Sequence, residues 1–257
     1  MINPFLLDEK RNKLSLENEV EFLKTYKINS KILPNINDGK FWDRIYHEEI
    51  SINHMVEDRL KIISNFISKI NKKIKLLDLG IGNGWIEEKL KSKNIQFTGV
   101  DISSEAIKKL QNKIDGKFIV GDISNFESNE RYDVVLLLET LEHIPSQKTF
   151  EMINRIRKLL NNDGILIVSV PVNERVEELT VTCPKCGCLF NSNGHLRDYT
   201  ENIIKKELEI SGFNVEKIYR LYAFNKFYFF KKLLTKILPN RWKPNNLILV
   251  ARKITEN

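Results

Sequence analysis

Residues 76–84, LLDLGIGNG, decide the fold of this chain. Apolar residues suited to a buried strand end in an acid, glycines follow at every second position, and WIEEKLKSK then has the pattern of a helix. Glycine permits the positive backbone angles of a tight turn and leaves room for a ligand, while the helix N-terminus offers unpaired amides. The stretch therefore predicts a strand, a turn and a helix around a small polar ligand.

Downstream of this stretch, apolar strand patterns alternate with amphipathic helix patterns. The predicted strands after the first are IQFTGVD, GKFIVGD, YDVVLLLE, ILIVSVP, NVEKIYRL and NNLILVARK. Alternation of this kind favours an α/β fold, a doubly wound, seven-stranded and mostly parallel sheet, with its ligand site outside the carboxyl ends of the strands. The last two strands imply an antiparallel hairpin.

Three further segments surround this pattern. Residues 1–71 predict a helical N-terminal extension or cap, interrupted by an irregular aromatic connection over residues 31–49. Residues 171–199 form a long insertion after the fifth strand, inside a main domain that we place at residues 72–253. Residues 222–244 are basic, aromatic and amphipathic. They could make a peripheral contact with an anionic membrane, but packing on the domain is favoured.

Composition narrows the functional classes. The chain has 257 residues and a formal net charge of +7, but its lysines are spread along it, which argues against a nucleic-acid partner. No apolar run approaches the ~18 residues that a transmembrane segment needs. Charged residues follow the first apolar residues at once, unlike a secretory signal, so we expect a cytoplasmic protein.

The glycine spacing selects between two classes of ligand. A dinucleotide fingerprint, G-x-G-x-x-G, would require glycine where Trp85 stands, which weakens a nicotinamide-dependent oxidoreductase. The observed D-x-G-x-G-x-G spacing resembles motif I of the class I S-adenosylmethionine-dependent methyltransferases. That resemblance implies S-adenosylmethionine as cofactor, with Asp78, Gly80, Gly82 and Gly84 in its binding site.

Acids at two further strand ends fit the same cofactor. Asp101 lies 17 positions beyond Gly84, where a carboxylate can accept hydrogen bonds from both ribose hydroxyls. A helix-capping role is the alternative. The resemblance to the methyltransferase family extends over about residues 72–253. It implies that Ile102 also contacts the cofactor, that Asp122 accepts from the adenine amino group and that Ile123 lines the ring.

The fourth strand ends in LLLETLEHIP. Glu139, Glu142 and His143 match the E-x-x-E-H pattern of the ubiquinone-biosynthesis O-methyltransferases, whose equivalent positions have been linked to a divalent cation. By this resemblance Glu139 also reaches the methionine end of the cofactor. His143 is the first choice for a base that takes a proton from a hydroxyl acceptor, followed by Glu142 and His195. Capping or packing by His143 is the alternative.

All three cysteines fall within the insertion, which favours metal over a disulfide framework. Cys183 and Cys186 have the spacing of a zinc knuckle, and Cys188 and His195 are the nearest further ligands. We therefore expect a structural zinc that orders the insertion, or else a knuckle without metal. The run HLRDYT resembles one found in many methyltransferases and makes His195 and Arg197 candidates for the acceptor pocket.

Together these features predict a methyltransferase that moves the methyl group of S-adenosylmethionine to an oxygen of a small-molecule, sugar or lipid-linked acceptor. The chain lacks the Asn/Asp-Pro-Pro-aromatic motif that amino methyltransferases acting on adenine or glutamine carry after this strand. Two alternatives remain open: a methyltransferase that acts on RNA, and a zinc-stabilised interaction module without catalysis.

Overall fold

The computed structural model describes residues 39–47, 54–91, 93–182, 184, 187, 189–222 and 244–254. Nine strands lie in these ranges: β1 Ile74–Leu79, β2 Ile95–Asp101, β3 Lys117–Val120, β4 Tyr132–Leu138, β5 Leu160–Pro171, β6 Thr180–Thr182, β7 Leu189–Asn191, β8 Phe213–Leu221 and β9 Asn246–Lys253. Six α-helices accompany them: α1 Gly39–His47, α2 His54–Ile67, α3 Trp85–Leu90, α4 Ser104–Gln111, α5 Ser146–Leu159 and α6 Glu201–Ile210. Short 3-10 turns cover Ile123–Asn125, Leu141–His143 and Val176–Leu179.

Seven of the strands form the central sheet in the order β3-β2-β1-β4-β5-β9-β8. The first five strands of this order pair in parallel, whereas β9 runs antiparallel to both β5 and β8. The remaining strands, β6 and β7, form a separate antiparallel hairpin in the insertion. The predicted seven-stranded, mostly parallel sheet is therefore confirmed.

Both faces of the sheet are covered by apolar layers. In β4, alternate residues turn to opposite faces: Val135 joins one core cluster and Val134 the other, and both are fully buried. Helices α5 and α6 contribute to the first cluster, while α2, α3 and α4 contribute to the second. Continuous apolar strands are what a parallel sheet covered on both faces requires.

The strand order reverses between β1 and β4, the point at which parallel α/β sheets open a crevice at their carboxyl ends. The glycine loop, residues 80–84, follows β1 on one side of this crevice, and Thr140 follows β4 on the other. The fold thus brings the residues after each strand to one edge of the sheet.

Two local predictions are wrong. The aromatic connection is not irregular throughout, since residues 39–47 form α1. This short helix is anchored to the start of α4, where Asp43 accepts hydrogen bonds from the Ser103 hydroxyl (2.7 Å) and the Glu105 amide (3.1 Å). The fifth strand, predicted as ILIVSVP, begins earlier than expected: α5 ends at Leu159, and β5 starts at Leu160, which pairs with Tyr132 in the sheet.

Several predicted features lie outside the described residues. They are the helix predicted before residue 38, all three cysteines and most of the basic aromatic segment. Within the described residues, no helix combines the length and apolar character needed to cross a bilayer.

Candidate active site

A cleft opens at the carboxyl ends of the parallel strands and encloses about 530 Å³ of empty space. Its lining residues are Trp42, Tyr46, Gly80, Asp101, Ile102, Asp122, Ile123, Glu139, Thr140, His143 and Ile144. Seven of them were predicted from the sequence as cofactor or catalytic residues: Gly80, Asp101, Ile102, Asp122, Ile123, Glu139 and His143. The structure therefore brings residues from four strand ends and from α1 around one space.

Two glycines of the loop are required by their surroundings. Gly80 has φ 84°, and a Cβ built on it would lie 2.7 Å from the Thr140 hydroxyl oxygen. Gly82 has φ 54°, and a Cβ there would lie 2.8 Å from the Tyr46 hydroxyl oxygen. Both the backbone angle and the space exclude larger residues, so the loop lies in close contact with β4 and α1.

Asp101 closes β2 with its carboxylate held in place by main-chain amides. The Gly82 amide donates to one oxygen at 2.9 Å, and the Ser103 amide donates to the other at 2.8 Å. Burial raises the pKa of Asp101, and these two hydrogen bonds act in the opposite direction. Since each carboxylate oxygen can accept more than one hydrogen bond, both keep a lone pair for ribose hydroxyls.

Asp78 lies beneath the glycine loop rather than in the cleft lining, and it is only 2% exposed. It faces Glu87 of α3, whose side chain is also fully buried. Burial raises the pKa of Glu87 to about 7, and burial together with the Glu87 charge raises that of Asp78 well above its usual range. Burial therefore favours the protonated forms of these two acids, which lie together below the loop.

Glu139, at the end of β4, is fully engaged by other side chains. Its carboxylate accepts hydrogen bonds from the Ser169 hydroxyl (2.8 Å) and the Asn246 amide group (2.6 Å), and it pairs with Arg59 of α2 at 2.8 Å. A metal ion bound by Glu139, Glu142 and His143 together would have to compete with these contacts. Of the cation ligands that the resemblance implies, Glu139 therefore does not fit.

At its other end the cleft is lined by His143, which forms a cluster with Glu142 and His195 behind the lining. The potential ligand atoms of these three residues lie within 4.8 Å of one another. His143 Nδ1 lies 3.0 Å from the Gly194 carbonyl, and His195 Nδ1 contacts the Glu174 carboxylate. Each of these acceptors favours a proton on Nδ1, which leaves Nε2 of both rings as a base or a ligand.

Two protonation states follow from burial at this cluster. Glu142 is 1% exposed, and burial, with the nearby Glu139 charge, raises its pKa well above the usual range. Burial lowers the pKa of His143 to about 4, so its imidazole is neutral at physiological pH. A neutral imidazole keeps a lone pair that can accept a proton or bind a metal.

Several residues of the site were not predicted, or were given another role. Trp42 lines the cleft and meets the His143 ring edge-on, with ring centroids 4.7 Å apart. Trp42 and Tyr46 are four positions apart, so on a helix they lie on the same face. This spacing is the sequence signal that could have placed both residues at the cleft. Arg197, predicted in the acceptor pocket, is 5% exposed and pairs instead with Glu207 of α6 at 2.5 Å.

Comparison with known proteins gives the same family. A family profile described as a methyltransferase domain matches residues 52–218. The ubiquinone biosynthesis O-methyltransferase of Rickettsia typhi is 32% identical over 139 residues, 51% of this chain and 53% of that protein. Malonyl-[acyl-carrier protein] O-methyltransferase 2 of Ilyobacter polytropus is 29% identical over 147 residues, 54% of this chain and 53% of that protein. The chain thus spans about half the length of these curated relatives.

A solved structure shares the fold. The N-methyltransferase NodS from Bradyrhizobium japonicum WM9, in complex with S-adenosyl-L-homocysteine, aligns with a TM-score of 0.59 at 15% identity. The alignment covers 84% of this chain and 98% of NodS. Since the family profile matches more than half of the sequence, the chain belongs to the methyltransferase domain family, within the class I S-adenosylmethionine-dependent methyltransferases that its glycine loop resembles.

Proposed function

We propose that this chain transfers the methyl group of S-adenosylmethionine to an oxygen atom of a small-molecule acceptor. One observation carries the proposal: the cleft has a nucleoside-type end and a histidine-rich end. The Asp101 carboxylate beside the glycine loop forms the first end, and His143, clustered with Glu142 and His195, forms the second.

The cofactor would lie along the carboxyl ends of β1, β2 and β3. Asp101 would accept from the ribose hydroxyls, and Asp122, at the end of β3, would accept from the adenine amino group. Asp122 also caps the following turn by accepting from the Ser124 amide at 2.9 Å, which fixes its carboxylate. The methionine part would extend past Gly80 towards the end of β4. In this direction the methyl donor would lie near Thr140 and His143.

The chemistry then needs orientation and loss of a proton. The sulfonium methyl group is already activated, so the protein mainly has to hold the acceptor oxygen in line and exclude water, which can supply several powers of ten in rate. A hydroxyl acceptor must also lose its proton. The neutral His143 ring and the His195 ring, oriented by Glu174, would supply nitrogen atoms for this step. Trp42 would form the apolar wall against the acceptor.

The names of the relatives and the cleft itself support the choice of acceptor atom and acceptor class. Both curated relatives are named O-methyltransferases, which favours oxygen over nitrogen. The cleft lies outside the carboxyl ends of the parallel strands, where α/β proteins bind small molecules, and this place suits a small acceptor. A sugar or a lipid-linked metabolite remains our narrower proposal for that acceptor.

Calorimetric titration of the purified chain tests the cofactor assignment. S-adenosylmethionine should bind with saturation, whereas NADH and a short RNA should not bind. Binding of NADH alone would replace the proposal with an oxidoreductase. Binding of neither nucleotide would favour the interaction module. Once the cofactor binds, methyl transfer to hydroxyl acceptors can be screened with a labelled methyl group.

A structural zinc at Cys183, Cys186 and Cys188 remains a separate proposal, because these cysteines lie outside the described residues. His195 was the proposed fourth ligand, but its ring contacts Glu174 and lies 5.0 Å from the His143 ring, centroid to centroid. Metal analysis of the purified chain beside Cys183→Ser would test the cysteine site. Equal zinc contents would reject it.

A further inference from the structure

The mismatch at Glu139 raises the question of which residues here could hold a cation. The E-x-x-E-H pattern implies a site that includes Glu139, but its Oε1 accepts from Ser169, and its Oε2 accepts from Asn246 and pairs with Arg59. The positive charge of Arg59, 2.8 Å away, also opposes a cation at this carboxylate. A cation site in this chain therefore needs another third ligand in place of Glu139.

His195 takes that place. It comes from the insertion and lies next to the β4 end, where its ligand atom is within 4.8 Å of those of Glu142 and His143. Ligand atoms around an ion with bonds of about 2.1 Å stand roughly 3–4 Å apart, so small side-chain rotations would close the set. Three ligands from two segments leave further positions for an acceptor oxygen or water.

The two histidines are also oriented as metal ligands usually are. A metal-binding histidine typically donates its second ring N–H to a carbonyl or a carboxylate, which fixes the tautomer and the ring direction. His143 has the Gly194 carbonyl at 3.0 Å for this purpose, and His195 has the Glu174 carboxylate. Neither contact follows from the E-x-x-E-H pattern, since both partners come from the insertion.

An independent observation concerns the buried carboxylate of Glu142. Its Oε2 atom is inaccessible to solvent and has no hydrogen-bond partner among the described residues, although the residue is only 1% exposed. A buried carboxylate oxygen without a partner is costly and requires an explanation. A bound cation would satisfy it, and the adjacent imidazole nitrogens would complete the same site.

We propose that Glu142, His143 and His195 bind a divalent transition metal ion, with Glu174 orienting the His195 ring. Two imidazoles and one carboxylate suit Zn²⁺, Fe²⁺, Co²⁺ or Ni²⁺, whereas Mg²⁺ prefers oxygen ligands. The site deepens the proposed function, on which its catalytic meaning rests. An ion there would polarise the acceptor oxygen and ease the loss of its proton. Binding itself can be measured without turnover.

Cobalt titration tests the ligand set. Because the cysteines could also bind metal, the parent protein carries Cys183→Ser, Cys186→Ser and Cys188→Ser. Co²⁺ binding is followed by visible absorption and by calorimetry, with Zn²⁺ and Mg²⁺ as competitors. His143→Ala and His195→Ala should each weaken binding by about 100-fold or more. Glu174→Gln should weaken it by about 10-fold, the loss typical of a residue that orients a ligand. Zn²⁺ should displace Co²⁺, and Mg²⁺ should not.

Two matched variants decide between the alternative sites. His47→Ala removes an exposed histidine of α1 and should leave Co²⁺ binding within about 2-fold of the parent. Glu139→Gln should do the same, whereas a loss as large as that of His143→Ala would assign the ion to the E-x-x-E-H set instead. Equal Co²⁺ binding by His195→Ala and His47→Ala would overturn the proposal. So would absence of Co²⁺ binding in a parent that melts cooperatively.

The proposed function fails separately from the metal site. S-adenosylmethionine is titrated into the parent, Glu174→Gln and His47→Ala in the same series, and its affinity should change little among them. If Co²⁺ binding follows the expected ligand pattern while S-adenosylmethionine does not bind, the metal site stands and the methyltransferase proposal falls. If the cysteine-free parent does not fold, His195→Ala and His47→Ala are compared in the wild-type chain. Thiolate-to-cobalt absorption then separates the cysteines from the histidines.

Discussion

The end of the cleft around Asp101, the proposed cofactor end, is shaped largely by main-chain geometry. The end around His143, the proposed acceptor end, is shaped by contacts with distant segments. Around Asp101, the ordering contacts are amide hydrogen bonds from Gly82, 19 positions before it, and from Ser103, two positions after it. Around His143, the ordering contacts come from Gly194, which is 51 positions away, and from Trp42 on α1.

This difference has a consequence for folding and for evolution of the site. The cofactor end forms once β1 and β2 pair, since the glycine loop and Asp101 are then in place. The acceptor end forms only when the insertion folds back, as in the hydrogen bond from the Leu196 amide to the Glu142 carbonyl (2.8 Å). Changes in the insertion should therefore alter acceptor binding without altering cofactor binding.

The largest expected effect is at the cofactor end. Asp101→Ala should weaken S-adenosylmethionine binding by at least about 100-fold, because each hydrogen bond to a charged group contributes roughly 1.5–3 kcal/mol. Asp115→Ala, on the exposed segment before β3, serves as the control and should bind normally. Calorimetry measures both. Unchanged affinity in Asp101→Ala, with an unchanged melting temperature, would remove the ribose assignment.

The next effect tests how much the backbone geometry of the glycine loop contributes to stability. Gly80→Ala should lower stability by about 2 kcal/mol, since alanine is strained at positive φ and its Cβ would meet Thr140. That loss corresponds to a melting temperature lower by about 4–8 °C. Gly121→Ala is the matched control, because a Cβ there would meet only a Val100 methyl group at 3.8 Å. Equal melting temperatures for the two variants would contradict the geometry.

A smaller effect should be confined to the acceptor end. Trp42→Ala should raise the KM for the acceptor by about 10-fold, in line with the loss of one aromatic contact, and leave S-adenosylmethionine affinity within about 2-fold. Trp42→Phe keeps an aromatic wall and should recover most of the loss. Steady-state kinetics with a methyl acceptor measures the KM. A similar loss in cofactor affinity would mean that the two ends are not separable.

The last effect depends on pH and concerns the acids beneath the loop. Because burial raises the pKa of Glu87 from 4.5 to about 7, the folded chain binds this proton more tightly than the unfolded chain. Stability should therefore fall as the pH rises through this window, and the loss should persist above it. Asp78, beside Glu87, and the nearby Asp101 and Tyr46 set the local charge.

The glutamine in Glu87→Gln cannot titrate, so this variant should lose the part of the pH dependence of stability that Glu87 causes. The melting temperature of Glu87→Gln relative to wild type should be higher at about pH 8 than at about pH 5. The corresponding change in relative stability between the two pH values should be about 2–3 kcal/mol. Glu88→Gln, on the exposed face of the same helix, should show a flat difference. Parallel melting curves of the three proteins over this pH range provide the measurement.

The sequence predicted the cofactor end well because its determinants are local. Glycine spacing, a strand-terminal acid and helix periodicity each depend on residues within one strand-turn-helix unit. Asp101 and Asp122 could therefore be expected at one cleft before the structure was known, and both line it. Their contacts with the cofactor stay a prediction. Asp78 is the exception, because it lies below the loop beside Glu87 of α3 and not in the cleft lining.

The acceptor end could be predicted only in part. The run at the end of β4 indicated Glu142 and His143, but nothing local shows that Glu139 is taken by Asn246, which is 107 positions away. The pairing of His195 with Glu174 depends likewise on how the insertion folds. The helical character of residues 39–47 also depends on Asp43 meeting the start of α4. Such contacts depend on the tertiary fold, which residue spacing does not encode.

The attachment of α1 to α4 also bears on how this chain can be shortened. The Asp43 side chain joins the first turn of α4, and the Lys109 ammonium group contacts the Tyr46 carbonyl near the other end of α1. A protein cut at residue 52, where the family profile begins, would retain the sheet and the glycine loop. It would lose the wall that Trp42 and Tyr46 provide. Studies of substrate choice therefore need a chain that begins upstream of Gly39.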